Sequence, residues 1–393
     1  MSALDRMDSR YDVLVVGARA AGAATAMLLA RAGLRVLAVD RGAYGTDTLS
    51  THALMRAGVL QLARWGVLDR IVAAGTPPVR RTVFHYEDGA IDVPIKPRDR
   101  VPALFAPRRT VLDRALVDAA LEAGATVVHR IGVADLLRGR DGRVQGVILG
   151  EEGRMRAVGA DLVIGADGLR SAVAALVGAP TTRRGAYASA NIYGYWSGLK
   201  ADGYHWHWAP GAAAGAIPTN GGEVLVFASV SSRRFMEEVR SDVPRGYRRV
   251  LEEAAPELAA ALPRASLAGP LHGFPGQVGY LRRPFGPGWA LVGDAAYFKD
   301  PITAHGLSDA LRDAELLARA VVHGGDEALA GYEAARDALS ERLFDVTDRV
   351  ASFDWDTAAL KALHLAFSDE MKREVAEMLR FPAALAPSDR LTA

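Results

Sequence analysis

The run Tyr11 to Val16 (YDVLVV) is apolar apart from Asp12, which predicts a strand covered on both faces of a parallel sheet. Gly17-Ala18-Arg19-Ala20-Ala21-Gly22 follows, and the Ala- and Leu-rich stretch to Arg31 reads as a helix. Gly33 stands where a helix C-terminus favours glycine. Leu34 to Val39 (LRVLAV) reads as a second buried strand closing on Asp40, so the chain opens on a βαβ unit. A helix is predicted over His52 to Trp65, and two short strands over Thr82 to Ile95 around Asp88-Gly89. Thr110 to Ala123 reads as a helix, with strands near Thr126 to His129, Arg143 to Leu149 and Leu162 to Gly165. From Ala186 to Val230 the period changes to two. Ile192 to Trp196, Tyr204 to Trp208 and Val224 to Val230 then read as an antiparallel sheet with one covered face. A buried-strand pattern returns at Trp289 to Val292, followed by a helix over Leu307 to Val322 and a mostly helical stretch from Leu329 to Arg380.

Composition narrows the class. The 393 residues, 50% hydrophobic and 24% charged, suit a globular protein and exceed what one core usually supports. A formal net charge of +1 lacks the positive field of a nonspecific nucleic-acid binder. With no cysteine there is no disulfide, thiolate nucleophile or iron–sulfur cluster, and no metal site is expected. The cations are 42 arginines and 5 lysines, a bias that fits arginine-rich codon usage. Met1 to Arg10 has no apolar core of signal-peptide type, and the apolar stretch Ala20 to Ala30 is too short for a membrane span of about 20 residues. A cytoplasmic protein without a membrane span is expected.

Three motifs carry chemistry. The first is the glycine turn: Gly17 and Gly22 take the outer positions of a dinucleotide fingerprint, Arg19 replaces the middle glycine, and Asp40 stands where an acid can meet a ribose hydroxyl. The second is the apolar run from Asp161 into Asp167-Gly168, with Ser171 opening a helix. The third is Trp289-Ala-Leu-Val-Gly293-Asp294-Ala-Ala296, continuing through Asp300-Pro301-Ile302-Thr303-Ala304-His305-Gly306-Leu307 into a helix N-terminus that can stabilise an anionic ring system or a phosphate.

In this order and spacing the motifs resemble the single-component FAD-dependent aromatic hydroxylases typified by p-hydroxybenzoate hydroxylase. They are also similar to geranylgeranyl reductases and flavin halogenases, over Asp12 to about Ala320. The resemblance implies an α/β fold: a Rossmann-like FAD-binding domain (GR2-type), a β-rich antiparallel substrate-domain insertion and a helical C-terminal region. The FAD-binding domain would comprise residues 1–80, 101–180 and 275–345, the substrate domain 81–100 and 181–274, and the helical region 346–393. By the same resemblance, Gly17, Ala18, Ala20, Ala21, Gly22, Asp40 and Arg41 hold the ADP half of FAD. Arg56, in Arg56-Ala-Gly-Val-Leu60, and Arg109 approach the cofactor, as do Asp167, Gly293 and Asp294. Pro301, Ala304, His305, Gly306 and Leu307 belong to the loop along the isoalloxazine ring. Two departures stand out, Arg19 in the glycine turn and Thr303 where the hydroxylases carry glycine; Asp300-Pro-Ile-Thr303 is closer to the reductase pattern. Trp206-His-Trp-Ala-Pro210 misses the halogenase tryptophan motif by one residue, which argues against halogenation.

Period-two alternation puts Tyr193 and Tyr195 on one face of their strand, and Tyr204, Trp206 and Trp208 on one face of the next. That face is either a wall for a planar hydrophobic substrate or a packed core. His205 and His207 face the other way and read as a solvated or hydrogen-bonded pair. His52 is a candidate for substrate positioning or base catalysis, with a surface position beside a helix cap as the alternative. Phe353, Trp355 and Phe367 read as packing of the tail. The function implied first is an FAD-dependent monooxygenase using NADPH or NADH and O2, hydroxylating an aromatic or polyketide-like small molecule through a flavin C4a-hydroperoxide. The alternative is an FAD-dependent reductase or dehydrogenase acting on a C=C or C–N bond. A non-catalytic FAD-binding protein is the third.

Overall fold

The computed structural model describes Leu4, residues 7–382 and Leu385. Residues 383, 384 and 386–393 of the expected helical region, and 1–3, 5 and 6, lie outside the described residues. The opening unit forms as strand Arg10–Val16, helix Ala20–Arg31 and strand Val36–Asp40, with Gly33 at φ +88° after the helix. Arg10–Val16 runs parallel to Val36–Asp40 on one side and to Arg154–Gly165 on the other. Thr126–His129 and Trp289–Leu291 extend the parallel sheet outward, and Val144–Glu151 and Gly132–Arg138 continue it antiparallel. Parallel strands deliver their carboxyl ends to one edge, where open α/β sheets bind ligands. Here that edge collects Gly17, Asp40, Asp167 and Asp294.

Close approach explains two glycines. A Cβ at Gly17, itself at φ +102°, would overlap the Ala166 carbonyl, and one at Gly22 would overlap the Gly17 carbonyl. The turn, the helix and the neighbouring strand end are thereby held in backbone contact.

The second sheet runs in the order Ser266–Leu267, Ser189–Ser197, Val224–Ser231, Ala212–Pro218, Tyr204–Ala209, Arg81–Tyr86, Gly89–Pro94, with His272–Phe274 also on Ser189–Ser197. It is mixed where an antiparallel sheet is expected: Tyr204–Ala209 lies parallel to Arg81–Tyr86. Parallel neighbours need a long crossover, and the residues between them supply it by passing through the first sheet. Ala212–Pro218 is absent from the sequence reading because AAAGAIP has weak strand propensity. It forms between two strong strands and is buried along nearly its whole length. The hairpin turns at Glu87-Asp88, with Gly89 already on the return strand opposite Tyr86.

The helix predicted from His52 begins at Arg56. Upstream, Leu54 bridges Phe105 and His52 sits in the left-handed region at φ +65°, so the chain there is an ordered loop. Gly306–His323 follows the third motif, and Gly325–Ala351 and Thr357–Leu379 form the helical tail. Among the described residues no helix is long and apolar enough to cross a membrane.

Candidate functional site

At the glycine turn, Asp40 accepts from Ala18 N at 2.8 Å and Gly42 N at 2.7 Å, one bond to each carboxylate oxygen. Each oxygen keeps a lone pair for a further donor. Ala20, Ala21 and Gly22 lie in the first turn of their helix, whose N–H groups have no intrahelical acceptor. The Arg19 side chain is drawn onto Asp113 at 3.2 Å and the Thr46 carbonyl at 3.2 Å. Arg41 is exposed.

The other motifs divide. Asp167 accepts from Ala172 N at 2.6 Å and Ser171 Oγ at 2.5 Å, so its carboxylate caps the helix Ala172–Leu176. Asp294, beside Gly293 at φ +62°, behaves differently. Its backbone carbonyl accepts from Tyr280 Oη at 2.6 Å, while its carboxylate takes no hydrogen bond from the described residues. Burial pushes that carboxyl up to about 6, with Arg109 pulling the other way. Arg109 itself is buried and forks onto Asp113 at 2.9 Å. Arg56 opens its helix, where the dipole disfavours a cation. It donates from Nη2 to the Lys96 carbonyl at 2.8 Å and leaves Nη1 buried without an acceptor.

The loop after Asp294 is built by Asp300. Its carboxylate accepts from Ser189 N at 2.6 Å, Ser189 Oγ at 2.5 Å and Ile302 N at 2.9 Å, tying the second sheet to the turn Pro301–Thr303. Ala304, at φ +50°, redirects the chain to His305 and the first turn of Gly306–His323, which holds the half-buried Leu307. A Cβ at Gly306 would meet nothing within 4 Å, so this helix terminus faces open space. Thr303, the departure from glycine, is spoken for by the tail: its Oγ1 lies 3.0 Å from Thr347 Oγ1.

These features fit FAD. A glycine cradle with free amides and the unmatched Arg56 donor suit a pyrophosphate. An acceptor without a donor at Asp294 suits a polyol, and an open helix N-terminus suits an electron-rich ring edge.

Above this edge lies the inner face of the second sheet. Tyr193, Tyr195, Tyr204, Trp206 and Trp208 are all buried. Tyr193 and Tyr195 meet edge to face at 5.8 Å, Trp206 meets Phe227 at 5.7 Å, and Trp208 meets Trp355 of the tail at 6.0 Å. Trp206 Nε1 donates to Thr82 Oγ1 at 2.9 Å, but Trp208 Nε1 is buried without a partner. His52, for which a surface position is the alternative reading from sequence, is 1% exposed and hydrogen-bonds Tyr195 Oη through Nε2. Its loop reaches the flavin-loop helix, since Met55 N donates to Ser308 Oγ at 3.2 Å.

Sequence reasoning missed Arg108. Its guanidinium lies 3.5 Å from the Tyr195 ring centroid and pairs with Glu223 at 2.8 Å and Asp47 at 3.0 Å. The pair Arg108-Arg109 was legible, but not which of the two turns toward the sheet. His85 was missed too: its Nε2 lies 3.1 Å from His205 Nδ1, and its ring stacks on His207 at 4.1 Å with planes 3° apart. Parallel stacked rings aim their nitrogen lone pairs in parallel planes, so His85 and His207 do not converge on one ion.

A buried ionic lattice ties the flavin-loop helix to the tail. His305 Nε2 lies 2.8 Å from Glu374, and Arg312 binds Glu374 at 2.8 Å, Asp313 at 2.7 Å and Ser340 at 2.8 Å. Lys299 binds Asp309. The donors of His305, Asp309 and Glu374 cluster closely enough for a metal, but Lys299 and Arg312 already supply positive charge there. Phe367 packs edge-on to His305 at 5.6 Å.

A family model described as "FAD binding domain" matches residues 10–347. A menaquinone reductase of Mycolicibacterium smegmatis is 28% identical over 370 residues, covering 88% of this chain and 85% of that protein. A digeranylgeranylglycerophospholipid reductase of Methanothrix thermoacetophila is 28% identical over 337 residues, 82% of each. Among solved structures, PqsL of Pseudomonas aeruginosa, a probable FAD-dependent monooxygenase, superposes with a TM-score of 0.74 at 21% identity, covering 92% of this chain and 100% of that one.

Proposed function

Starting from the fact that the chain belongs to the FAD binding domain family and is an FAD-dependent oxidoreductase, we propose that it reduces a C=C bond in an uncharged, hydrophobic small molecule, with NADPH or NADH as the source of electrons. The observation that carries this reading is the inner face of the second sheet. Tyr193, Tyr195, Trp206, Trp208, Leu225 and Phe227 present aromatic and aliphatic surface there, and the charge that touches them, the Arg108 guanidinium over Tyr195, is neutralised by Glu223 and Asp47. Such a lining favours an apolar substrate, and Tyr193, Tyr195, Trp206 and Trp208 are its contacts. Asp300-Pro-Ile-Thr303 and the likeness to reductases over most of the chain point the same way. The oxygen-transfer expectation rests on the resemblance of the sequence motifs to aromatic hydroxylases, and the likeness to PqsL at 21% identity concerns the fold.

Bound FAD would be held by the glycine turn, Asp40, Arg56 and Asp294, and it supplies two-electron transfer between nicotinamide and substrate. The chain's own residues orient the substrate and exclude water. The test is the mass of the product formed from a menaquinone with NADPH or NADH in air. Two hydrogens retained after air has returned any quinol to the quinone support C=C reduction; gain of one oxygen atom assigns the monooxygenase reaction instead.

A further inference from the structure

We propose that His52 and Tyr195 form a proton relay that donates the proton completing C=C reduction, an assignment that rests on the reductase reading above. The geometry has four parts. His52 Nε2 is hydrogen-bonded to Tyr195 Oη, inside the protein. His52 Nδ1 is buried with no partner, and buried orphan polar atoms are few enough to demand a ligand or a task. The residue is held at φ +65°, a region that non-glycine residues seldom occupy and that clusters at functional sites. Finally, the Arg108 guanidinium covers the Tyr195 ring at 3.5 Å.

The neighbours set the protonation states. Burial, aided by the positive charge of Arg109, pushes the His52 imidazole down to about 3, against the opposing pull of Asp47. At neutral pH it is therefore uncharged. Burial raises the Tyr195 hydroxyl, with Arg108 acting in the opposite direction, so the phenol keeps its proton. A neutral imidazole that accepts from Tyr195 O–H at Nε2 carries its own proton on Nδ1. That N–H is the free donor. Tyr193 holds the loop from the other side, its Oη accepting from Ser50 N at 3.1 Å, and His272 stacks on Tyr193 at 5.1 Å.

The step balances as follows. Bound FAD, once reduced, would supply a hydride, carrying two electrons, to one alkene carbon. The other carbon takes the proton of His52 Nδ1, and the C=C bond becomes C–C with two new C–H bonds. Tyr195 O–H passes its proton to Nε2, so the imidazole stays neutral in the other tautomer. The phenolate left behind lies under Arg108; a solvent proton taken up at Nδ1, with the Nε2 proton returned to the phenolate, restores the phenol and the resting tautomer. His52 is the catalytic residue in this scheme; Tyr195 and Arg108 act through it.

Two measurements test the relay. Nitrogen-15 NMR of the flavin-loaded protein labelled at histidine reads the tautomer of His52 directly: Nδ1–H is expected, and Nε2–H in the resting protein overturns the relay. Half-reactions separate the rest, with menaquinone as probe under anaerobic conditions. His52→Asn keeps a residue that tolerates left-handed backbone, and Tyr195→Phe keeps the ring. In both, flavin reduction by NADPH or NADH should match wild type, while formation of the C=C-reduced menaquinone slows about a hundredfold or more. An unchanged rate of that product in both variants overturns the relay and leaves the reductase reading standing. If the wild type forms no C=C-reduced menaquinone either, the reading falls and the relay with it.

Discussion

Asp294, half-buried at the strand edge, and the fully buried Glu374 show how differently two carboxylates are employed. Asp294 has a hydrogen-bonded backbone but an unmatched side chain, so its natural donor is a ligand hydroxyl. Asp294→Ala should raise the dissociation constant for FAD at least tenfold, about 1.4 kcal/mol, read by flavin fluorescence titration of the apoprotein; unchanged binding would contradict its placement. Glu374 is fully matched instead. Burial alone would raise its carboxyl, but His305, Arg312 and Lys299 outweigh burial and lower it. Glu374→Ala removes one carboxylate from Arg312, which keeps Asp313 and Ser340, and the hydrogen-bond partner of His305, and should destabilise the fold by about 1–3 kcal/mol, visible in chemical denaturation. Asp294 was legible in sequence because a strand end, a glycine and an acid occur together. The partners of Glu374 were not, since they join positions far apart in the chain.

The glycine turn and the Asp300 loop are elements whose form follows from local sequence. Both were readable because glycine, proline and a strand end leave few backbone choices. Gly22→Ala tests this at the level of the turn. Its methyl would overlap the Gly17 carbonyl, so the apoprotein should lose stability before any FAD is added; a melting temperature equal to wild type would refute the close approach. The second sheet was legible only in part. Tyr204–Ala209 announced itself by strict alternation, whereas its parallel partner Arg81–Tyr86 is distant in sequence. Helix Val243–Ala254 was overlooked despite a stripe at Tyr247, Val250, Leu251 and Ala254 that covers the sheet's outer face. For the tail aromatics Phe353, Trp355 and Phe367 the sequence offers closure of the pocket or packing of the helical region, with packing the favoured reading. Yet Trp355 meets Trp208, and Phe367 and Glu374 meet His305, so the tail closes over both the aromatic face and the flavin loop.

Across the whole molecule, buried titratable groups fix the response to acid. His52 and His207, pushed down to about 3, and His364, pushed down to about 4, are held neutral chiefly by burial. A histidine with a depressed folded value resists protonation that the unfolded chain accepts. Its contribution is intact above about 6.5 and is lost as pH falls toward 4. Asp294, Asp300 and Asp313, raised to about 6 by burial, act oppositely, gaining stability as pH falls from 6 toward 3.8. A variant isolates one arm. His364 bonds Tyr86 Oη at 2.7 Å, so His364→Gln should lose stability at pH 7. The loss should shrink by up to about 1.4 kcal/mol per pH unit below 6.5. A pH-independent difference in melting temperature would show that His364 is not held neutral.

The same scale decides what the two sheets do together. The first gathers the proposed cofactor contacts at its carboxyl edge, and the second, tied to that edge through Ser189 and Asp300, offers a mostly aromatic face carrying a buried His–Tyr pair. The decisive measurement is turnover without oxygen: NADPH or NADH oxidation by the flavin-loaded protein in the presence of a menaquinone, with and without air. Substrate-dependent oxidation that persists undiminished under anaerobic conditions is the predicted result. Turnover that stops when oxygen is removed would contradict the account.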